Sequence, residues 1–192
     1  GLAMNIKLHN HIEINNGGDI KTYHNTVLPA LKQAFLQGAD YTKYIAMGRG
    51  RHSDLSEASE LDNLVCVMQS VICAGNFDIS KGPVYIRRMA EIGEEYNGVT
   101  FTEAALTPNS GGGGIVNYIE LDGVEKQPQK KLIVTATLYI EHITDCGGGH
   151  ICSGDNPLFE IIFGLKNLSD LSVAAACADG VMNSHICGNV SI

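Results

Sequence analysis

Three groups of residues in this chain have side chains that could carry chemistry. His9-x-His11 with Glu13 places two imidazoles and a carboxylate at alternate positions, so an extended strand would set all three on one edge as potential metal ligands. Near the C-terminus, Cys146, His150, Cys152, Cys177, His185 and Cys187 supply the atom types of a tetrahedral zinc or iron site, and Gly149-His-Ile-Cys152 is echoed by Ser184-His-Ile-Cys187. The third group is Tyr44-Ile-Ala-Met-Gly-Arg-Gly-Arg-His52, an apolar strand running into a Gly-x-Gly turn that could cradle a phosphate.

Each group also has a plainer reading. A strand His pair needs further ligands to close a metal site, and alternating polar residues are the ordinary solvent face of a strand. His-x-Cys is too short to close the usual finger loop, which leaves the cysteines as small apolar packing residues. The Gly-x-Gly lacks the rest of a phosphate motif and is followed by Asp54, Glu57, Glu60 and Asp62, whose charges would repel phosphate. Gly48 and Gly50 are therefore expected to turn the chain. No Gly-x-Ser-x-Gly elbow, dinucleotide fingerprint, kinase signature or His-Glu-x-x-His occurs. We accordingly assign no catalytic residue, no cofactor and no metal.

Composition narrows the partners. The 192 residues are 44% hydrophobic and 18% charged, enough for one domain with a real core and an appendage. A net charge of -8, with no basic cluster larger than Arg87-Arg88 or Lys130-Lys131, argues against nucleic acid and anionic membrane. No apolar run has the length of a membrane span, and Gly1-Leu-Ala-Met shows no export signal. Six cysteines are few for this length, so reduced thiols are expected.

The elements that would position these residues are mostly strands. Met4 to Ile14 alternates, with Ile6, Leu8, Asn10, Ile12 and Ile14 on one face. Asn15-Asn-Gly-Gly18 marks a turn, and Val27 to Gln37 has helical spacing, a Thr26 cap, Pro29 in the first turn and Gly38 at its end. Strands follow at Tyr44 to Gly48, Leu61 to Cys73 (buried), Val84 to Ile92, Val99 to Leu106, Ile115 to Leu121 and Lys131 to His142, the last central because both its faces are substantial. Gly111 to Gly114 is expected to be a flexible tip suited to contacts between copies. Beyond 142, Pro157 to Leu165 and Ser169 to Ala178 read as helices.

Charges on apolar strand faces suggest one pairing. Period-2 alternation puts Glu103 with Val99, Phe101 and Ala105, and Arg88 with Val84, Ile86, Ala90 and Ile92. A hairpin with a loop from Gly93 to Gly98 and Ile92 opposite Val99 would bring Arg88 opposite Glu103 as a buried structural pair.

The order of parts resembles tail-fibre and tail-collar-like structural proteins of tailed bacteriophages and prophages. It rests on Tyr-Ile-Ala-Met-Gly-Arg-Gly50, the acidic loop after it, and Asn97-Gly98-Val-Thr-Phe-Thr-Glu103-Ala-Ala-Leu106, and covers roughly residues 20 to 142. Arg51-His52 stands where small Thr residues are usual in that family, and Ala105 where Gly is. The combined reading is a mainly β (α+β) fold: an antiparallel β-sandwich with one packed amphipathic helix near the N-terminus over 1–142, and a C-terminal extension over 143–192. The resemblance implies a non-enzymatic structural or attachment component, made in the bacterial cytoplasm and residing in a virion or prophage tail. Its partners would be itself, as a homo-oligomer, and other tail proteins. The alternatives are a carbohydrate-binding β-sandwich module, disfavoured by the absence of Trp and 6% aromatics, and a metal-dependent enzyme using the His/Cys groups.

Overall fold

The computed structural model describes residues 5–31, 42–76, 83–143 and 189–191, with side chains over 10–31, 42–76, 83 and 85–139. The strands are β1 (Asn5–Asn16), β2 (Asp19–Tyr23), β3 (Asn25–Val27), β4 (Tyr44–Gly48), β5 (Leu64–Gln69), β6 (Val71–Asn76), β7 (Val84–Ile92), β8 (Thr100–Thr107), β9 (Asn117–Glu125), β10 (Leu132–Ile143) and β11 (Asn189–Ser191). All pair antiparallel in two sheets. Sheet A runs β11-β1-β10-β7-β6, with β2 also paired to β1, and sheet B runs β3-β9-β8-β4-β5.

The sheets face each other as a β-sandwich across one apolar core. Ile12 and Ile14 of β1, Ile86 and Ile92 of β7, and Leu132, Val134 and Leu138 of β10 meet Ile45 and Met47 of β4, Phe101, Ala104 and Leu106 of β8, and Ile119 and Leu121 of β9. These are the faces that strict alternation assigned to β1, β7 and β10, and β10 lies between β1 and β7 as a central strand. Sheet B is buried on its outer face as well. There Ala46, Ala105 and Tyr118 pack with Leu28, Leu61 and Ile115 beneath Leu55 and Ala58 of the long β4–β5 loop.

The chain changes sheet at single residues. Ser70, 2% exposed, separates β5 from β6, so one apolar run leaves the edge of sheet B and continues along the edge of sheet A. Its amide donates to the Lys43 carbonyl at 2.7 Å, and its hydroxyl lies 2.8 Å from the carbonyls of Thr42 and Lys43. The stretch expected as one buried strand is thus two edge strands, which leave Val71 59% and Ile72 50% exposed. Two neighbouring strands bury a run; an edge position gives it only one.

The predicted helix is corrected at its start. Val27 closes β3 opposite Asn117, because β-branched Thr26 and Val27 suit an added edge strand. Within the span expected as helix, helical geometry among the described residues is confined to Ala30 and Leu31, and 32–41 lies outside them. The Gly111 to Gly114 tip is folded back rather than open: the Thr107 hydroxyl and Asn109 amide both donate to the Gly113 carbonyl, at 2.7 and 2.9 Å. Asn189–Ser191 pairs with Asn5–Lys7, which builds part of the C-terminal extension into sheet A. The helices expected at 157–165 and 169–178 lie outside the described residues. Among the described residues no helix is long and apolar enough to cross a membrane.

Candidate functional site

The Gly-x-Gly turn holds an anion, and that anion belongs to the chain itself. Glu103 on β8 is 0% exposed, and both of its oxygens accept two hydrogen bonds. Oε2 accepts from the Gly50 and Asn63 amides at 3.0 and 2.8 Å, and Oε1 from the Asp62 amide and the Tyr118 hydroxyl at 3.0 and 2.7 Å. Gly48 lies opposite Glu103 on the neighbouring strand. A Cβ there would stand 2.5 Å from the Glu103 Oε2 and 2.6 Å from the Asn63 carbonyl, so only glycine leaves room for the carboxylate. The sequence reads as a chain-turning Gly-x-Gly, and nothing in it shows that Glu103 fills the turn.

Arg51 and His52, at the end of this turn, help to seal the loop. The His52 amide donates to the Tyr118 hydroxyl at 2.9 Å, and its ring stands edge-on to Tyr118 with centroids 5.3 Å apart. An Arg51 guanidinium nitrogen donates to the Leu121 carbonyl at 2.7 Å. Burial, then the bond to Glu103, pushes the Tyr118 phenol far above its usual range, which keeps it a donor.

The Arg88–Glu103 pair does not form. β7 pairs with β10 and β6 in sheet A, and Arg88 lies opposite Ala136 and Ile72. Its guanidinium reaches the Ser70 carbonyl and hydroxyl at 3.4 and 3.5 Å, beneath the sheet change. β8 belongs to sheet B, and its register slips between Phe101 and Glu103. That bulge leaves Phe101 facing the core but turns Glu103 to the opposite face, breaking the alternation on which the pairing rested.

Lys126 was not singled out by its sequence context. It is 1% exposed, and its ammonium donates to Glu94 Oε1 at 3.2 Å, Asn97 Oδ1 at 2.9 Å and the Gln127 carbonyl at 2.7 Å. Glu94 and Asn97 belong to the short 3-10 turn Glu94–Tyr96 and its C-cap, which carries the chain from β7 to sheet B. The Glu94 carboxyl is held below its usual range by the Asn97 amide and then Lys126.

The outer face of sheet A carries an open, polar cleft. Among the residues with described side chains, the odd-numbered ones of β1, β7 and β10 point away from the core, so His11, Thr137 and Arg87 lie abreast on one rung. Tyr139 and Tyr85 occupy the next rung on one side, Glu13 and Thr135 the next on the other. His11, Glu13, Cys73, Arg87, Thr135, Thr137 and Tyr139 line an open cleft of ~410 Å³. Arg87 is fixed within it: Nε donates to Thr137 Oγ1 at 3.0 Å, a terminal nitrogen donates to the Tyr139 hydroxyl at 3.3 Å, and the guanidinium lies 5.3 Å from the Tyr85 ring centre. The two tyrosine rings are 5.7 Å apart. The sequence signal was present in the polar side of the β7 and β10 alternations, but nothing in it showed that the two lie side by side.

Of the residues singled out as metal ligands, His11 and Glu13 come within 4.0 Å of each other, while the side chain of His9 lies outside the described ones. Among the described residues no three His, Cys, Asp or Glu side chains are grouped so as to hold a metal. Cys146, His150, Cys152, Cys177, His185 and Cys187 all lie outside the described residues. A smaller cleft of ~140 Å³ between β2 and β9 is occupied by its own ion pair, Asp122 accepting from the Tyr23 hydroxyl at 2.7 Å and from Lys21 at 3.1 Å. No family model matches the chain, and no curated protein and no solved structure matches it.

Proposed function

We propose that the chain is a non-enzymatic structural or attachment component of a phage or prophage tail, assembled with copies of itself and with neighbouring tail proteins. One observation carries the reading. The two segments that bear the resemblance, Tyr44 to Gly50 and Val99 to Leu106, are far apart in sequence yet lie side by side as β4 and β8, joined through the Glu103 carboxylate. That carboxylate holds a loop in place with all of its contacts directed inward, which is a structural use of an acidic residue.

Self-assembly is supported by the edge formed by β5 and β6. These are the outermost described strands of their sheets on one side of the sandwich, and Val71 and Ile72 give that edge an apolar surface suited to pairing with another chain. The test is mass spectrometry and gold-labelled antibody on tail particles purified from the source strain. The expected result is the chain at constant stoichiometry with other tail proteins and label on the tail; its absence from purified particles overturns the proposal. Light scattering should give a multiple of 20.5 kDa. The metal-dependent alternative rests on residues outside the described ones, whereas the carbohydrate-binding alternative gains a specific surface.

A further inference from the structure

We propose that the outer face of sheet A binds an acidic saccharide, a hexose-based glycan carrying a carboxylate, in the cleft between His11, Glu13, Arg87 and Tyr139. This goes beyond the tail role and does not depend on it.

The anchor is Arg87. A guanidinium carries five N–H donors, and here one goes to Thr137 and one to Tyr139, both neutral hydroxyls. Its plane is further held by the Tyr85 ring. Arg87 is half-buried and makes no ion pair with a described residue, although Glu13 lines the same cleft. A fixed guanidinium with donors to spare, its charge unpaired among the described residues, is suited to a planar anion, and a carboxylate fits its fork in a bidentate manner. Because Arg87 is already ordered by three neighbours, binding costs little further side-chain entropy.

The rest of the lining selects what carries the carboxylate. Glu13 accepts hydrogen bonds, the Thr135 hydroxyl can both donate and accept, and His11 stands within 4.0 Å of Glu13. Such a mixture matches a ring bearing several hydroxyl groups, and the Tyr139 ring adds an apolar flank for the sugar's C–H face. The ~410 Å³ volume falls within the roughly 300–1,000 Å³ of small-ligand clefts. A nucleic-acid backbone is a poor fit, since the cleft lining offers one permanent cation, Arg87, whereas binding a backbone requires several phosphates to be neutralised. Cys73, the remaining titratable group of the lining, faces the cleft from β6.

The experiment is calorimetric titration of the full chain with trigalacturonate, with the methyl ester of the same trisaccharide, and with inorganic phosphate. Saturable trigalacturonate binding, with the ester at least tenfold weaker and phosphate weaker still, is expected. In Arg87→Gln that affinity should fall more than tenfold while the chain stays folded, and Arg87→Lys, which keeps the charge but lacks the fork, should fall between the two. No saturable binding overturns the proposal, as does equal binding of the ester. Phosphate binding alone shows a general anion site, and an Arg87→Gln chain with full affinity places the ligand elsewhere; both overturn it. Should the Arg87 variants fail to fold, the comparison of acid with ester on the unaltered chain still decides. A chain that occurs in tail particles but binds no acidic sugar overturns this inference alone.

Discussion

Replacing Glu103 with alanine removes the one group that gathers Gly50, Asp62, Asn63 and Tyr118. Hydrogen bonds to a charged group contribute about 1.5–3 kcal/mol each when their loss leaves the donor unmet. Three of these four donors are backbone amides of the β4–β5 loop, which water can reach once the loop loosens, so about 1 kcal/mol for each donor is the more realistic figure. The sum is a loss of about 3–5 kcal/mol, or roughly 6–20 °C in Tm for a chain of this size. Glu103→Gln separates charge from shape. The amide has nearly the volume of the carboxyl, but one end of it must present N–H groups to N–H groups, so about half of the loss should remain. Urea unfolding would measure both variants, with an unchanged slope confirming that stability and not compactness has changed. Amide exchange gives a local readout: Gly50, Asp62 and Asn63 should lose protection before the core strands do. Because Arg88 lies in sheet A and Glu103 in sheet B, the losses from Arg88→Ala and Glu103→Ala should add within about 0.5 kcal/mol. A Glu103→Ala chain within about 1 kcal/mol of the parent, the range of an exposed pair, would refute the reasoning, as would strong coupling to Arg88.

Further expectations concern charge and thiols. Lys126→Met keeps the stem but leaves Asn97 Oδ1 and the Gln127 carbonyl without the ammonium, and should cost about 1–3 kcal/mol in urea unfolding; a neutral result would mean that the 94–97 turn does not depend on it. The Asp122 carboxyl is lowered by the Tyr23 hydroxyl and then by Lys21. Its folded state therefore binds a proton less readily than the unfolded chain, and the stability it contributes is complete above the unfolded value of about 3.9 and lost as pH falls below it. Urea midpoints should accordingly fall more steeply in acid for the parent than for Asp122→Asn, and equal slopes would count against the contact. Burial pushes the Cys66 thiol up to about 11, while Cys73 is exposed. Alkylation followed by peptide mapping should label Cys73 in the folded chain and Cys66 only on unfolding; early labelling of Cys66 would show that β5 does not stay docked.

What the sequence by itself determined is local. Alternation with a period of two identified β1, β7 and β10 and the residues they bury, because side chains on an extended backbone must point to opposite faces whatever the strand pairs with. Gly48 and Gly50 were legible as a turn, and so was Asn15 to Gly18, where Gly17 and Gly18 take φ values of 60° and 100° that other residues rarely adopt. Only the tertiary structure decided which strands are neighbours. Asn97-Gly98 signalled a hairpin, yet the 3-10 turn before it sends β8 to the opposite sheet, so Arg88 and Glu103 separate. The slip at Thr102 reverses the face of Glu103, and no count of residues can reveal a bulge whose cause lies in the pairing with β9. The same holds for the run ending at Cys73, whose apolar content does not state that each half has a neighbour on one side alone among the described strands. The cleft around Arg87 likewise exists because β1, β10 and β7, from distant parts of the chain, lie abreast, and such adjacency is set by the burial of their opposite faces in the shared core.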